Sequence, residues 1–230
     1  MAKDAVMESD TDFIPLKGLR GMIARNLRQA WQAPRVAQGV SANVSQCQAL
    51  IATLRQESGM KVTMTHLLIK ALASTLQEHP AVNATVSDEG IKLEKDANIA
   101  VAIATGLGLL VPVMMKVQEK SVLDIVAELK ELAEKAKANK LPASAYQKGT
   151  FTLSALGATG VDWFTPVLNP PQAGIIGAGT ISERAVVSDG EIAVAPVMEL
   201  TLVFDHRALD GYPAGLFLND LKSRLEAASF

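Results

Sequence analysis

Residues 198–225, MELTLVFDHRALDGYPAGLFLNDLKSRL, place a strand pattern, a turn and a helix pattern in direct succession. In the first part, every second side chain is apolar, at Met198, Leu200, Leu202 and Phe204. This period of two predicts a β-strand with one buried face. After the turn, Pro213 can open a helix. The apolar residues of that helix recur at helical spacing, at Ala214, Phe217, Leu218, Leu221 and Leu225.

The turn gathers an imidazole, a guanidinium and two carboxylates, at Asp205, His206, Arg207 and Asp210, and closes on Gly211. Because an imidazole titrates near neutral pH, a histidine held at the end of a buried strand is a candidate for proton transfer. A structural interpretation stands beside it, with His206 as a satisfied, partly buried side chain in a polar turn. The residues alone leave both interpretations open.

The composition bounds the class of protein. The 230 residues are 49% hydrophobic but only 4% aromatic, so we expect one sizeable core built mainly from Ala, Val, Leu and Ile. A formal net charge of −2 gives no sign of the excess positive charge that is typical of proteins that bind nucleic acid. The single cysteine, Cys47, rules out an internal disulfide and fits a reducing compartment; we interpret it as a buried apolar residue of a helix.

Residues 97–115 carry no charge, which raises the question of a membrane span. Asn98, Gly106, Gly108 and Pro112 interrupt the run, so two buried strand segments joined by a glycine turn explain it better. The first twelve residues are acidic and contain no apolar run of a signal peptide. We therefore predict a soluble protein of the cytoplasm, or of the mitochondrial matrix in a eukaryote, with no membrane partner.

The remaining pattern predicts a single mixed α/β domain over residues 13–230, behind a flexible acidic lead-in over residues 1–12. Helices are predicted at 21–32, at 45–58 with Ser45 as N-cap, at 66–79 with Thr65 as N-cap, and at 122–137 with a capping box from Ser121 to Asp124. Strands are predicted at 35–44, 151–154 and 174–181, and as a hairpin around Asp189-Gly190.

The sequence gives little support for a metal site or a nucleotide-binding loop. The three histidines and one cysteine are scattered, without the paired spacing of metal ligands, so no metal is predicted. We expect surface or boundary roles for His66 and His79. The glycines of residues 174–179 match neither a P-loop nor the dinucleotide fingerprint.

The run FDHRALDG resembles the active-site motif D-H-R-x-x-D/N-G of the dihydrolipoamide acyltransferases of 2-oxo-acid dehydrogenase complexes, whose fold chloramphenicol acetyltransferase shares. The resemblance extends over nearly the whole chain. It includes four further blocks in the family's order: LRGMIA at 19–24, GLGLLVPV at 106–113, FTLSALG at 151–157 and FTPVLNPPQ at 164–172.

The resemblance implies a role for each matching residue. His206 corresponds to the family's general base, and Ser154 to the serine hydroxyl that would stabilise the oxyanion. Asp210 occupies the position that supports the loop and the geometry of the histidine. Thr152, Asn169 and Arg207 are weaker candidates for substrate binding.

The resemblance also implies the fold, the reaction and the partners. It predicts a chloramphenicol acetyltransferase-like fold and transfer of an acyl group between dihydrolipoamide and coenzyme A. The lipoyl group would be attached to another domain or protein. The partners would be lipoyl domains, 2-oxo-acid dehydrogenase components and further copies of the chain, as a homotrimer or a larger cage. Two alternatives stay open: an enzyme that acylates a small alcohol, and a non-catalytic scaffold of a dehydrogenase complex.

Overall fold

The structure is a computed structural model that describes residues 15–106, 108–188 and 190–230, apart from the side chain of Leu19. The predicted lead-in over residues 1–12 and the first residue of the predicted Asp189-Gly190 turn lie outside the described residues.

Five α-helices, three short 3-10 helices and ten strands are assigned in the described part of the chain. The helices are α1 (Gly18–Trp31), α2 (Ser45–Ser58), α3 (Met64–Glu78), α4 (Val122–Lys137) and α5 (Gly211–Ala227). The strands are β1 (Arg35–Asn43), β2 (Ala84–Ser87), β3 (Gly90–Leu93), β4 (Ile99–Val101), β5 (Ile103–Thr105), β6 (Gly108–Leu110), β7 (Val113–Met114), β8 (Phe151–Ala155), β9 (Gly174–Ser188) and β10 (Glu191–Asp205).

The main sheet has six strands in the order β1-β10-β9-β8-β4-β7. Strand β8 runs parallel to both β4 and β9, whereas β9, β10 and β1 pair antiparallel. The predicted mixed α/β sheet with flanking helices is therefore confirmed. Two-stranded sheets, β2-β3 and β5-β6, lie outside it. The uncharged stretch at 97–115 forms strands, as predicted, but four short ones, β4 to β7, instead of two buried segments; β5 and β6 are only partly buried.

The first face of the sheet carries the large core. Apolar side chains of β10 and the apolar face of α5 meet there, in one buried cluster with residues of α2, α3 and β8. All five predicted apolar positions of α5 are buried. The helix packs on this face because its apolar residues form one stripe along it.

The second face of the sheet is buried as well along the last part of β10, where the alternation predicts one buried face. Thr201, Val203 and Asp205 of β10 are only 7%, 2% and 3% exposed. Val203 packs with Ile175 of β9, Ala30 of α1 and Leu168. The prediction of one buried face in β10 is therefore wrong, because α1 and the chain around Leu168 cover the side that alternation assigns to solvent.

Helix ends match the predictions unevenly. Helix α4 begins and ends as predicted, with the capping box between Ser121 and Asp124. The predicted Thr65 cap of α3 is wrong: Thr63 is the N-cap, and its backbone N–H donates to His66 Nδ1 at 2.9 Å. At α2, Asn43 Oδ1 accepts from the backbone N–H of Ser45, so Ser45 receives the cap instead of supplying it.

No helix in the described ranges is both long and apolar enough to span a membrane.

Candidate active site

His206 lies one residue beyond the end of β10, where its backbone N–H donates to Pro34 O at 2.8 Å. Its ring packs against Phe204 with centroids 5.8 Å apart, and its side chain is 44% exposed. Its Nδ1 lies 3.6 Å from Asp210 Oδ1. The predicted pair of imidazole and carboxylate is thus brought together at an open turn.

Asp210 is the N-cap residue of α5, but its carboxylate makes no capping bond. Asp is a common N-cap because its side chain usually accepts a backbone N–H of the first turn. Here the carboxylate points to His206 instead and remains 84% exposed. Asp210 is therefore held through its backbone, by the start of the helix.

Arg207 is bound to Asp205, which is 3% exposed. The guanidinium donates to both carboxylate oxygens, with Nη2 to Oδ2 at 2.7 Å and Nε to Oδ1 at 3.1 Å. These hydrogen bonds raise the pKa of Arg207. Forked pairs of this kind fix geometry as well as charge. The pair braces the turn on either side of His206, a use of Asp205 that the sequence analysis did not foresee.

Ser154 lies in β8 and is partly exposed. Because side chains alternate between the two faces of a strand, Ser154 lies on the second face of the sheet together with Thr152. The core residues Phe151 and Leu153 lie on the first face. The neighbour of Ser154 in β9 is Gly177, where a Cβ would lie 3.0 Å from Pro166. Within the part of the chain that the structure describes, the Ser154 hydroxyl has no hydrogen-bond partner.

Thr152 and Asn169 meet at a third residue, Gln172. The buried Thr152 hydroxyl donates to Gln172 Oε1 at 2.5 Å and accepts from Asn169 Nδ2 at 3.4 Å. Gln172 is itself only 5% exposed. Gln172 lies in the FTPVLNPPQ block, but no local sequence pattern links it to Thr152, so its role could not be predicted.

The structure does not bring Ser154 to His206 within one chain. Ser154 is level with Gly177 and hence with Thr201, whereas His206 follows Asp205 at the far end of β10. Standard strand dimensions separate the two by about 10 Å across the sheet and more than about 13 Å along it. One chain therefore carries two half-sites, each with its own surroundings.

A cavity of about 370 Å³ opens beside the Asp205–Arg207 pair, between the end of α1, the β2-β3 hairpin and the Pro170-Pro171 segment. Gln172 also lines it, whereas Ser154, His206 and Asp210 do not. Among the described residues, no three His, Cys, Asp or Glu side chains lie close enough to share a metal ion.

Of the other candidate side chains, Cys47 and His66 are buried, whereas His79 is partly exposed. Cys47 is fully buried in α2, as predicted, and burial raises the pKa of its thiol to about 11. His66 is 8% exposed, so its predicted surface or boundary role is wrong. Burial lowers the pKa of His66. His79 lies 3.3 Å from Asp220 at the boundary between α3 and α5.

The fold is that of a chloramphenicol acetyltransferase-like acyltransferase. Chloramphenicol acetyltransferase itself superimposes with a TM-score of 0.56 at 15% identity, over 87% of this chain and 94% of that chain, a likeness of fold alone. The family model for the 2-oxoacid dehydrogenases acyltransferase catalytic domain matches residues 8–230. The chain belongs to this family.

Individual relatives of the chain support the same family. The dihydrolipoyllysine-residue acetyltransferase component of the acetoin cleaving system of Bacillus subtilis is 33% identical over 96% of this chain and 57% of its own length. A dihydrolipoamide acetyltransferase of Azotobacter vinelandii superimposes with a TM-score of 0.90 at 36% identity, over 94% of this chain and 92% of that chain. Its structure was studied for the role of a serine, a histidine and an asparagine in catalysis.

A third relative is the cubic core of a pyruvate dehydrogenase multienzyme complex. It superimposes with a TM-score of 0.90 at 35% identity, over 94% of this chain and 92% of that chain. The chain spans between 40% and 57% of the length of the first curated relatives that it matches.

Proposed function

We propose that this chain transfers an acyl group between dihydrolipoamide and coenzyme A, by direct thioester exchange. The observation that supports the proposal is the separation in sequence between Ser154 and His206. Ser154 and His206 are separated by the same number of residues as the catalytic serine and histidine named for the Azotobacter vinelandii enzyme. Asp210 stands four residues after His206, where that enzyme has its asparagine.

His206 acts as the general base. A thiol with a pKa near 8.5 is only about 3% thiolate at pH 7, so complete deprotonation is worth about 30-fold in rate. With Nδ1 turned to Asp210, Nε2 is the free nitrogen that takes the proton of the incoming coenzyme A thiol. The new thiolate attacks the acyl-lipoamide carbonyl, the lipoamide sulfur leaves, and His206 returns the proton to it.

Ser154 donates its hydroxyl hydrogen to the oxyanion of the tetrahedral intermediate. Removing one such donor in comparable sites costs about 100-fold to 1000-fold in kcat. Coenzyme A is itself the nucleophile, so no acyl-enzyme is needed and Ser154 stays unacylated. Two thiols held in one channel supply proximity, the other large contribution to the rate.

The complete site forms between two copies of the chain, with His206 from one and Ser154 from the other. This follows from the separation of the two residues in the sheet, since both must lie about 3 Å from the same reacting group. A closed ring in which each subunit offers a different face to each neighbour gives every subunit one complete site at each interface. A homotrimer is the smallest such ring compatible with the threefold axes of a cubic core.

The partners are those of the family. The chain would work with a lipoyl group carried on another domain or protein and with 2-oxo-acid dehydrogenase components, in a trimer or in a cage built of trimers. Residues 13–230 are proposed as the catalytic domain. Asp205 and Arg207 would hold the turn beneath the substrates, and Thr152 with Asn169 would hold the strand of Ser154.

The experiment that tests the function is acyl transfer from acetyl-, succinyl- and isobutyryl-coenzyme A to free dihydrolipoamide. We compare wild type with His206→Ala, using His79→Ala as a matched histidine control. The proposal expects turnover of at least one donor, a loss of at least about 100-fold in His206→Ala, and little change in His79→Ala. The preferred donor then identifies the acyl group.

Two results would contradict the proposal. Turnover with a small alcohol such as chloramphenicol, but none with dihydrolipoamide, would make the chain an alcohol acyltransferase. No turnover with any pair, by protein shown to be trimeric, would favour the scaffold. Electrospray mass measurement after mixing with acetyl-coenzyme A alone checks the direct mechanism, because an acylated Ser154 would rule it out.

A further inference from the structure

Gln38 of β1 contacts the start of α5, although 173 positions separate the two residues that bond. Its side chain lies on the first face of the sheet, between Val36 and Val40, both of which pack against the core. Its Nε2 donates to Gly211 O at 2.9 Å, in a partly buried hydrogen bond. The amide therefore ties the edge strand of the sheet to the first residue of the helix.

Two glycines of α5 face this amide. A Cβ at Gly211 would lie 3.2 Å from Gln38 Nε2, which is tighter than an ordinary contact. A Cβ at Gly215, one turn later on the same side of the helix, would lie 3.6 Å from Gln38 Oε1. Of these two positions, Gly211 is the one where a Cβ would crowd the glutamine amide, because 3.6 Å is an ordinary van der Waals contact.

The Gln38–Gly211 hydrogen bond lies next to Asp210, a residue of the proposed active site. Asp210 immediately precedes Gly211, and its carboxylate has neither burial nor a capping bond to hold it 3.6 Å from His206 Nδ1. The orientation of the Asp210 carboxylate is set by the backbone of the first turn of α5. The Gln38 amide holds that turn by its hydrogen bond to Gly211 O.

We propose that Gln38 is a positioning residue for the reaction, which fixes the start of α5 so that the Asp210 carboxylate faces His206. The inference rests on the proposed function and adds a residue to it. Gln38 does not touch the reacting atoms. It acts through Asp210, whose negative charge 3.6 Å from Nδ1 favours the tautomer of neutral His206 that carries its proton on Nδ1 and leaves Nε2 free to act as the base.

The test is a double-mutant cycle between Gln38→Met and Asp210→Ala. Methionine keeps the length of the side chain but cannot donate to Gly211 O. In otherwise wild-type protein, Gln38→Met should lower kcat about fivefold to tenfold, the value of one modest hydrogen bond, with the KM values for both substrates changed less than about twofold. In the Asp210→Ala background, the same substitution should have no further effect, because the group it positions is gone.

The matched control is Val40→Ala, two residues along β1 on the same face. It removes packing from the core without touching Gly211, so kcat should stay within about twofold of wild type. Equal losses of kcat from Gln38→Met in both backgrounds, or an equal loss from Val40→Ala, would assign Gln38 a general structural role and overturn the proposal.

A second measurement does not depend on turnover. Nitrogen-15 shifts of the imidazoles, recorded at alkaline pH, report which ring nitrogen carries the proton, with His66 and His79 as internal references. The proposal expects His206 to be protonated on Nδ1 in wild type and to become a mixture of tautomers in Gln38→Met. An unchanged tautomer would contradict the role of Gln38, whereas absence of turnover in wild type would contradict only the proposed function.

Discussion

The two half-sites of this chain are built in opposite ways. His206 and Asp210 are 44% and 84% exposed and stand on a turn, whereas Ser154 lies in a strand beside Thr152, which is only 2% exposed. The turn is braced by the Asp205–Arg207 pair and by Gln38, both outside the exposed pair itself. The strand is braced by a buried hydrogen-bond network through Gln172.

This difference separates function from stability. Substitutions at the exposed pair should lower activity with little change in the free energy of unfolding, because few buried contacts are lost there. Substitutions beneath Ser154 should lower stability, because they leave buried polar groups without partners.

The largest expected effect is that of Ser154→Ala. Loss of the oxyanion donor should lower kcat about 100-fold to 1000-fold, with KM nearly unchanged. Steady-state kinetics with the preferred acyl-coenzyme A measures it. Ser223→Ala, an exposed serine of α5 bonded to Asn219 O, is the matched control. A kcat within about threefold of wild type in Ser154→Ala would remove Ser154 from the proposed mechanism.

The Thr152–Gln172 pair should determine stability. Gln172→Met keeps the volume but leaves the buried Thr152 hydroxyl without its acceptor, so the free energy of unfolding should fall by about 1–3 kcal/mol. Urea unfolding measures this. The double variant Thr152→Val with Gln172→Met should recover most of the loss, because an apolar pair leaves no polar atom unsatisfied. Additive losses would show that the hydrogen bond does not stabilise the strand.

At the exposed half, Asp210→Ala should lower kcat about tenfold, because Nδ1 of His206 loses the carboxylate that lies 3.6 Å away. Asp210→Asn keeps an oxygen at the same place, as in the Azotobacter vinelandii enzyme, and should retain activity within about threefold. The melting temperature should barely change in either variant. If Asn is as harmful as Ala, the negative charge rather than the acceptor is what His206 requires.

The smallest effect concerns His66. Burial lowers its pKa below the unfolded value of about 6.5, and its Nδ1 accepts from Thr63 only when unprotonated. The stability that His66 contributes is therefore complete above pH 6.5 and is lost as pH falls below it. The slope should be at most about 1.4 kcal/mol per pH unit.

His66→Gln is the control for that slope, because glutamine can accept the same backbone N–H without titrating. Urea unfolding between pH 7.5 and pH 5 should show a shallower loss in His66→Gln than in wild type. Identical slopes would show that His66 does not contribute to the acid sensitivity of the fold.

Local sequence patterns predicted the elements whose causes are local. The strand, turn and helix from Met198 to Leu225 and the capped helix α4 follow from periodicity, Pro213 and the Ser121 cap. The second buried face of β10 was missed because α1 and Leu168, both distant in sequence, cover it. Thr63 and Thr65 offer equal capping chemistry, and only the fold selects between them.

The site residues divide in the same way. His206 and Asp210 stand in one short motif, so their proximity could be predicted from the sequence. Gln38 bonds to Gly211 across most of the chain, and no spacing or composition marks it. The separation of Ser154 from His206 required the strand order and the register of β8, β9 and β10.

In the proposed assembly, one active site takes His206 from one chain and Ser154 from another. The most direct test mixes His206→Ala with Ser154→Ala protein by unfolding and refolding them together. Each variant alone should be nearly inactive. If sites form between neighbours in a ring, random mixing in equal amounts should restore about one quarter of wild-type activity, the fraction of interfaces that combine an intact histidine with an intact serine. If the refolded mixture stays as inactive as the separate variants, although it contains mixed trimers, the site lies within one chain and the account is wrong.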